Sequence, residues 1–263
     1  MRTRLAGIAT TAVLAVGAAF AIGGVAASGS PHPTVTFGYS GDNGPGFWGR
    51  LDSAWEACAA GRKQSPIDIS HARIDPRLRP LNLHLEPTPI ALANNGHTIE
   101  QDYEPGSTLT LGGTTYHLQQ FHFHALSEHT IGGQRGVMEQ HLVFKDDLAN
   151  PRRVVVVAML YEIGHKNPFL SRLAAAGLPM QEGDTVRSRV SINVAQALTD
   201  TSAYYTYAGS LTTPPCTENV TWFVLKHPAQ MSAAQFKAYD KILGDDFRPL
   251  QDPNGRVVRA TAH

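Results

Sequence analysis

At 263 residues and 42% hydrophobic content, the chain is long enough to bury one large core. Its 22 basic and 22 acidic residues cancel, which argues against a nucleic-acid partner or an acidic surface as target. No internal repeat or low-complexity tract points to a solenoid or a disordered tail.

Met1–Ala27 reads as a secretory signal peptide. Arg2 and Arg4 precede an apolar run from Leu5 to Val25, and Val25-Ala26-Ala27 offers small residues for cleavage. The rival reading is an uncleaved anchor, because the run is nearly long enough to span a bilayer. No cysteine lies near the cleavage site, so there is nothing to carry a lipid. Export implies a periplasmic or secreted protein, with no stable membrane association once the leader is removed. Residues 28–35 read as a linker and 36–263 as one domain.

The domain opens with aromatics set among turn residues, Phe37-Gly38-Tyr39 and Asn43 to Trp48, the pattern of an ordered loop packed by rings. Cys58 and Cys216 are the only cysteines. Behind an export signal an even count predicts one disulfide; two free buried thiols are the alternative. Lys63 to Ile69 reads as structural, with Pro66 beside an extended segment. Ala93-Asn94-Asn95-Gly96-His97 is a turn, and a strand starts at Thr98. Leu109 and Leu111 alternate with threonines before Gly112-Gly113 reverses the chain.

The next strand carries the chemistry. Alternation sends Tyr116, Leu118, Gln120, His122 and His124 to one face and His117, Gln119, Phe121 and Phe123 to the other. In a following strand Glu139, His141 and Val143 share a face. If the two strands pair across the Gly132-Gly133 turn, three imidazoles converge on one point with Gln120 and Glu139 beside them. Three nitrogen ligands leave a fourth position open, the arrangement of a catalytic zinc site. Gln120 and Glu139 are placed to accept the second ring N–H of a ligand. His-x-His alone reads equally as an exposed polar pair; the third histidine, two residues after a carboxylate, favours the metal.

Val154 to Tyr161 is a nearly continuous apolar run, as in a strand buried on both faces. Pro168 to Ala176 and Ser232 to Leu243 carry apolar residues at helical spacing, the second behind a Ser-x-x-Gln capping box. Between them, Tyr204 to Glu218 forms a rigid loop around Gly209, Pro214 and Pro215, where threonines are ordinarily satisfied by local backbone. Val220 to Leu225 reads as another strand. The fold class is therefore mainly β: a large central, twisted, mostly antiparallel sheet with short surface helices in a single domain.

Gln120-Phe121-His122-Phe123-His124, Ser127-Glu128-His129-Thr130 and Glu139-Gln140-His141-Leu142-Val143 resemble the zinc-ligand strands of α-class carbonic anhydrases. Lys63 to Ile69, Ser210-Leu211-Thr212-Thr213-Pro214-Pro215 and Phe247 to Gln251 follow in the family's order, so the resemblance spans essentially the whole mature chain. It implies reversible hydration of carbon dioxide to bicarbonate and a proton, by attack of zinc-bound hydroxide. His122, His124 and His141 match the ligands, and Thr212 with Glu128 the relay that orients hydroxide. Val143, Val156, Leu211 and Trp222 match the apolar wall for CO2, and Thr213 the contact to bicarbonate or water. His97 matches the proton shuttle; Tyr39, Asn94 and Asn95 match the water network.

The departures are Phe37 and Phe47 in the opening, Ala125 where animal enzymes often carry Trp, and a short turn between Glu128 and His141. They touch the pocket rim and not the ligands. Weak esterase activity is expected from the same site, and an oligomer is compatible with the sequence. Two other classes stay open here: a binding module that has lost activity, and a zinc hydrolase whose main substrates are esters.

Overall fold

Strand-forming residues draw most of the described strands into one sheet. In the computed structural model, residues 35–147 and 152–263 are described. The leader at 1–27 and the linker up to Thr34 lie outside the described residues. The strands that matter for the site are β1 (Thr88–Asn94), β2 (Ile99–Asp102), β3 (Thr108–Leu111), β4 (Thr114–His124), β5 (Met138–Lys145), β6 (Val154–Ile163), β7 (Thr185–Ile192), β8 (Tyr204–Gly209) and β9 (Val220–Leu225). Their order across the sheet is β7-β1-β2-β4-β5-β6-β9-β8. Neighbours run antiparallel except for β6 and β9, which are parallel. The expected mostly antiparallel sheet with short surface helices is what forms.

The two strands that carry the three histidines pair as the sequence reading requires: His141 lies opposite His122, and Glu139 opposite His124. The Gly132-Gly133 turn does not join them directly. It closes a small hairpin, Thr130–Ile131 with Gln134–Arg135, that pairs with Asp68–Ile69 in a separate sheet. Both glycines have positive φ, 57° and 76°, the region that glycine enters without steric cost.

One expectation about β4 is corrected. Tyr116 and Leu118 do not share a face with His122 and His124; they are buried in the main core beside Phe121 and Phe123. Val143 pairs with Gln120 and Phe144 with Leu118, so Gln119 has no partner in β5. This one-residue bulge reverses the alternation, because side chains repeat with period two. Without it, one strand could not bury Leu118 and also turn Gln120, His122 and His124 toward the pocket.

β6 is buried on both faces. Val155, Val157, Met159 and Tyr161 enter the main core, and Val154, Val156, Ala158 and Leu160 enter a second cluster with Trp222. Helix α1 (Pro168–Ala176) buries Phe169, Leu170 and Leu173 and is capped by the Asn167 side chain. Helix α2 (Ala233–Leu243) has the predicted capping box: Gln235 N donates to Ser232 Oγ, and Ser232 N donates to Gln235 Oε1. A third cluster gathers Trp48, Phe37, Tyr39 and Trp55 around the Cys58–Cys216 disulfide, whose Cα atoms are 5.0 Å apart. Among the described residues no helix is long and apolar enough to cross a membrane.

Candidate metal centre

The three histidines meet. Ring centroids are 5.1 Å apart for His122–His124 and for His122–His141, and 4.8 Å for His124–His141. One nitrogen of each ring is already held. Gln120 Oε1 is 2.8 Å from His122 Nδ1, Glu139 Oε1 is 2.8 Å from His141 Nε2, and the Asp246 carbonyl is 2.8 Å from His124 Nδ1. The nitrogens left over are His122 Nε2, His124 Nε2 and His141 Nδ1. The first and last are 3.2 Å apart, and His124 Nε2 is buried without a hydrogen-bond partner. An orphaned buried nitrogen costs free energy unless something completes it. Converging imidazole nitrogens with an open side fit a three-ligand zinc site.

A second buried trio, His129, Glu139 and His141, also lies close together. Its atoms are spent on each other. Glu139 takes the His129 ring at 2.7 Å, the His129 backbone N–H at 2.8 Å and the His141 ring at 2.8 Å, and His129 Nε2 meets the Tyr207 hydroxyl at 2.7 Å. Both His129 ring nitrogens are engaged, so that histidine has none left for a metal.

Electrostatics favour neutral ligands at two positions. Burial, then the neighbouring rings His141 and His124, hold the His122 imidazolium well below the ordinary histidine range. Burial lowers His141 too, with Glu139 opposing. For His124, burial is outweighed by the Glu128 and Asp246 carboxylates, which raise it. Glu139 stays ionised although buried, because His129 and His141 outweigh the desolvation.

A cavity of about 130 Å³ opens onto this cluster. Its floor includes His122, His124 and Gln120, and its wall Thr213, Thr98 and Glu100. Phe37, Tyr39, Asn95 and His97 complete the lining. The Tyr39 hydroxyl is buried and unpartnered, and burial, then Glu128 and Asp246, push its pKa far above the usual tyrosine value. His97 is half-buried and lies flat on Phe37. Asn95 Oδ1 accepts from His97 N and Thr98 N, both at 3.0 Å, which fixes the turn.

Asn94 does not line this cavity, contrary to the expectation from the resemblance. It is the last residue of β1 and points into the loop beyond α1, where its amide donates to Pro179 O and its Oδ1 accepts from Gly96 N. Thr212 is buried one residue before Thr213. Glu128 Oε1 accepts from Arg248 N at 2.9 Å, while Oε2 is buried without a partner, 3.7 Å from His124 Nε2. The Thr212 hydrogen bond implied for that oxygen is therefore not formed here. Val156 and Trp222 are buried in one cluster against which Val143 and Leu211 pack. Trp222 sits edge-on to His141, centroids 4.9 Å apart, and donates its indole N–H to Ser210 O. Gly209 is required there, because a Cβ would strike Ser65 Oγ and the Trp222 ring.

Sequence reasoning missed Asp246, whose backbone carbonyl orients His124, and no side-chain signal marks a carbonyl. It also missed the buried chain that supports Glu139: His129, Tyr207 and Ser65, joined at 2.7 and 2.9 Å. His129 stood inside a quoted motif without a role.

Residues 43–262 match the family described as eukaryotic-type carbonic anhydrase. The chain is 41% identical over 223 residues to a carbonic anhydrase of Klebsiella pneumoniae, covering 84% of this chain and 89% of that protein. A Neisseria gonorrhoeae carbonic anhydrase is 39% identical over 234 residues, covering 88% and 90%. The α-carbonic anhydrase of Thermovibrio ammonificans, solved with the inhibitor sulfanilamide, superimposes with a TM-score of 0.81 at 35% identity, covering 86% of this chain and 99% of that one.

Proposed function

The chain belongs to the α-carbonic anhydrase family, and from that premise we propose that it catalyses the reversible hydration of carbon dioxide to bicarbonate and a proton, with zinc held by His122, His124 and His141. The observation that carries this reading is the convergence of three ring nitrogens whose opposite nitrogens are each already engaged. Zinc, when bound, supplies the Lewis acidity that lets water act as a nucleophile near neutral pH, the behaviour for which carbonic anhydrase is the type example.

The protein's own groups do the rest. Gln120, Glu139 and the Asp246 carbonyl hold the rings in place, so each lone pair is aimed before a ligand arrives. Val143, Val156, Leu211 and Trp222 offer an apolar wall suited to CO2, which has no charge to grip. Thr212 would orient the nucleophile by donating its hydroxyl hydrogen to Glu128; that bond is not made in this structure, and the unpartnered Glu128 Oε2 is the acceptor left for it. Thr213, in the cavity wall, contacts bicarbonate or water. Tyr39 and Asn95 border the water path, and His97 at the rim takes the proton out. Weak hydrolysis of activated esters follows from the same site. The disulfide supports action outside the cytoplasm, in the periplasm or beyond the cell.

The test is CO2 hydration by zinc-replete protein before and after chelation. We expect one equivalent of zinc, loss of activity with the metal, and recovery on adding it back. Full activity in metal-free protein, or no hydration with zinc bound, overturns the assignment.

A further inference from the structure

The sequence reading gave no role to Glu100, which lies on β2 directly opposite His122 on β4. Gln120 Nε2 donates to Glu100 Oε2 at 2.9 Å, and Gln120 Oε1 faces His122 Nδ1 at 2.8 Å. A glutamine amide is nearly symmetric in shape but not in hydrogen bonding: one end donates, the other accepts. Nothing intrinsic to Gln120 decides which end meets the histidine. An ionised carboxylate only accepts, so Glu100 draws the amide nitrogen to itself and leaves the oxygen for the ring. The ring then carries its hydrogen on Nδ1, and the Nε2 lone pair turns toward His141 Nδ1, 3.2 Å away. Without Glu100 the amide is free to rotate by half a turn and present its N–H₂ to Nδ1, which stabilises the wrong tautomer.

We propose that Glu100 is a positioning residue which, through the Gln120 amide, fixes the tautomer of His122 with its Nε2 lone pair facing the metal position. This inference rests on the metal reading for its benefit to zinc, but the tautomer itself is a property of the metal-free protein. Glu100 also lines the cavity, so its charge acts on the centre through space as well. The two routes separate in a double-mutant cycle, because only the first needs Gln120.

The experiment uses the full chain labelled with ¹⁵N-histidine, wild type and Glu100→Ala, Gln120→Ala and the double variant. Nitrogen shifts of His122 in metal-free protein read the tautomer, and competition with a chelator reads zinc affinity. In wild type we expect the Nδ1–H form of His122, and in Glu100→Ala a mixture of forms. Zinc affinity should fall about tenfold in Glu100→Ala, the lower end for an outer-shell partner. In the Gln120→Ala background, Glu100→Ala should change zinc affinity by clearly less than in wild type, leaving only the through-space part. Glu100→Gln keeps the side-chain volume but offers either end of an amide, so it should fall between wild type and Glu100→Ala; it also serves if the alanine variant misfolds. An Nε2–H form in wild type, an unchanged tautomer in Glu100→Ala, or the same affinity loss with and without Gln120 overturns the proposal. Failure of wild type to take up zinc would overturn the metal reading alone, since the nitrogen shifts still decide the role of Glu100.

Discussion

Phe37 and His97 lie face to face at the cavity rim, with ring centroids 3.8 Å apart and planes 11° from parallel. The stack holds the imidazole in the lining of the cavity that His122 and His124 also line. Burial lowers the His97 pKa below its ordinary value of about 6.5, with Glu182 opposing. A lowered value leaves the ring neutral at pH 7, ready to accept a proton, and also able to release one to buffer. His97→Ala should therefore keep its zinc and most of its kcat/KM, while kcat falls in dilute buffer and recovers on adding imidazole. The histidine-dependent part of kcat should titrate below pH 6.5. Unchanged kcat in poorly buffered medium would remove His97 from the proton path.

The Cys58–Cys216 bond joins the opening aromatic cluster to the loop that carries Thr212 and Thr213, across 158 residues of sequence. Closing so long a loop restricts the unfolded chain. Replacing both cysteines by serine should cost about 2–5 kcal/mol, an amount whose entropic origin is disputed. Denaturant unfolding of the oxidised protein and the double variant measures it. Equal midpoints and equal slopes would show that the bond contributes nothing.

Asp68 ties the small hairpin to the main fold: its Oδ1 accepts from Thr130 Oγ1 at 2.6 Å and from Gly133 N at 2.8 Å. Burial works against the ionised form, but these hydrogen bonds outweigh it and lower the pKa. The sign follows from linkage: a depressed folded value gives stability that is complete above the unfolded value, about 3.9, and is lost as pH falls through the folded value. Asp68→Asn should thus be less stable than wild type at pH 7, and the gap should close in strong acid. A gap that stays the same from pH 7 down into strong acid would mean that the carboxylate charge plays no part.

Much of the centre was legible because strand alternation is a short-range rule. His122 and His124 two apart, and His141 two after Glu139, declare their faces in the sequence. The bulge at Gln119 was written there too: apolar residues fall at Tyr116 and Leu118, then shift parity to Phe121 and Phe123. What could not be read were contacts without a side-chain signature or a local spacing. The carbonyl that holds His124 comes from Asp246, 122 positions away. Asn94 and Asn95 are adjacent and alike in sequence, yet the end of β1 sends one into a loop and the other to the cavity.

Behind Glu139 the buried chain through His129 gives the last test. Glu139 is wholly buried, and His129 supplies both a ring nitrogen and a backbone N–H to its carboxylate. His129→Phe keeps a ring of similar size against Trp222, whose centroid lies 4.8 Å away, but strips a partner from a buried charge. Taking one donor from a buried carboxylate costs about 3 kcal/mol or somewhat more, the upper end for a hydrogen bond to a charged group, with the His129 backbone N–H and the His141 ring left to Glu139. Tyr207→Phe, one link further out, removes only a neutral hydroxyl between His129 and Ser65 and should cost about 1–3 kcal/mol. Zinc affinity should follow the same order, since Glu139 also holds His141. Urea midpoints and chelator competition on the two variants decide it. If His129→Phe proves no more costly than Tyr207→Phe, then His129 fills space and does not hold the Glu139 carboxylate for His141.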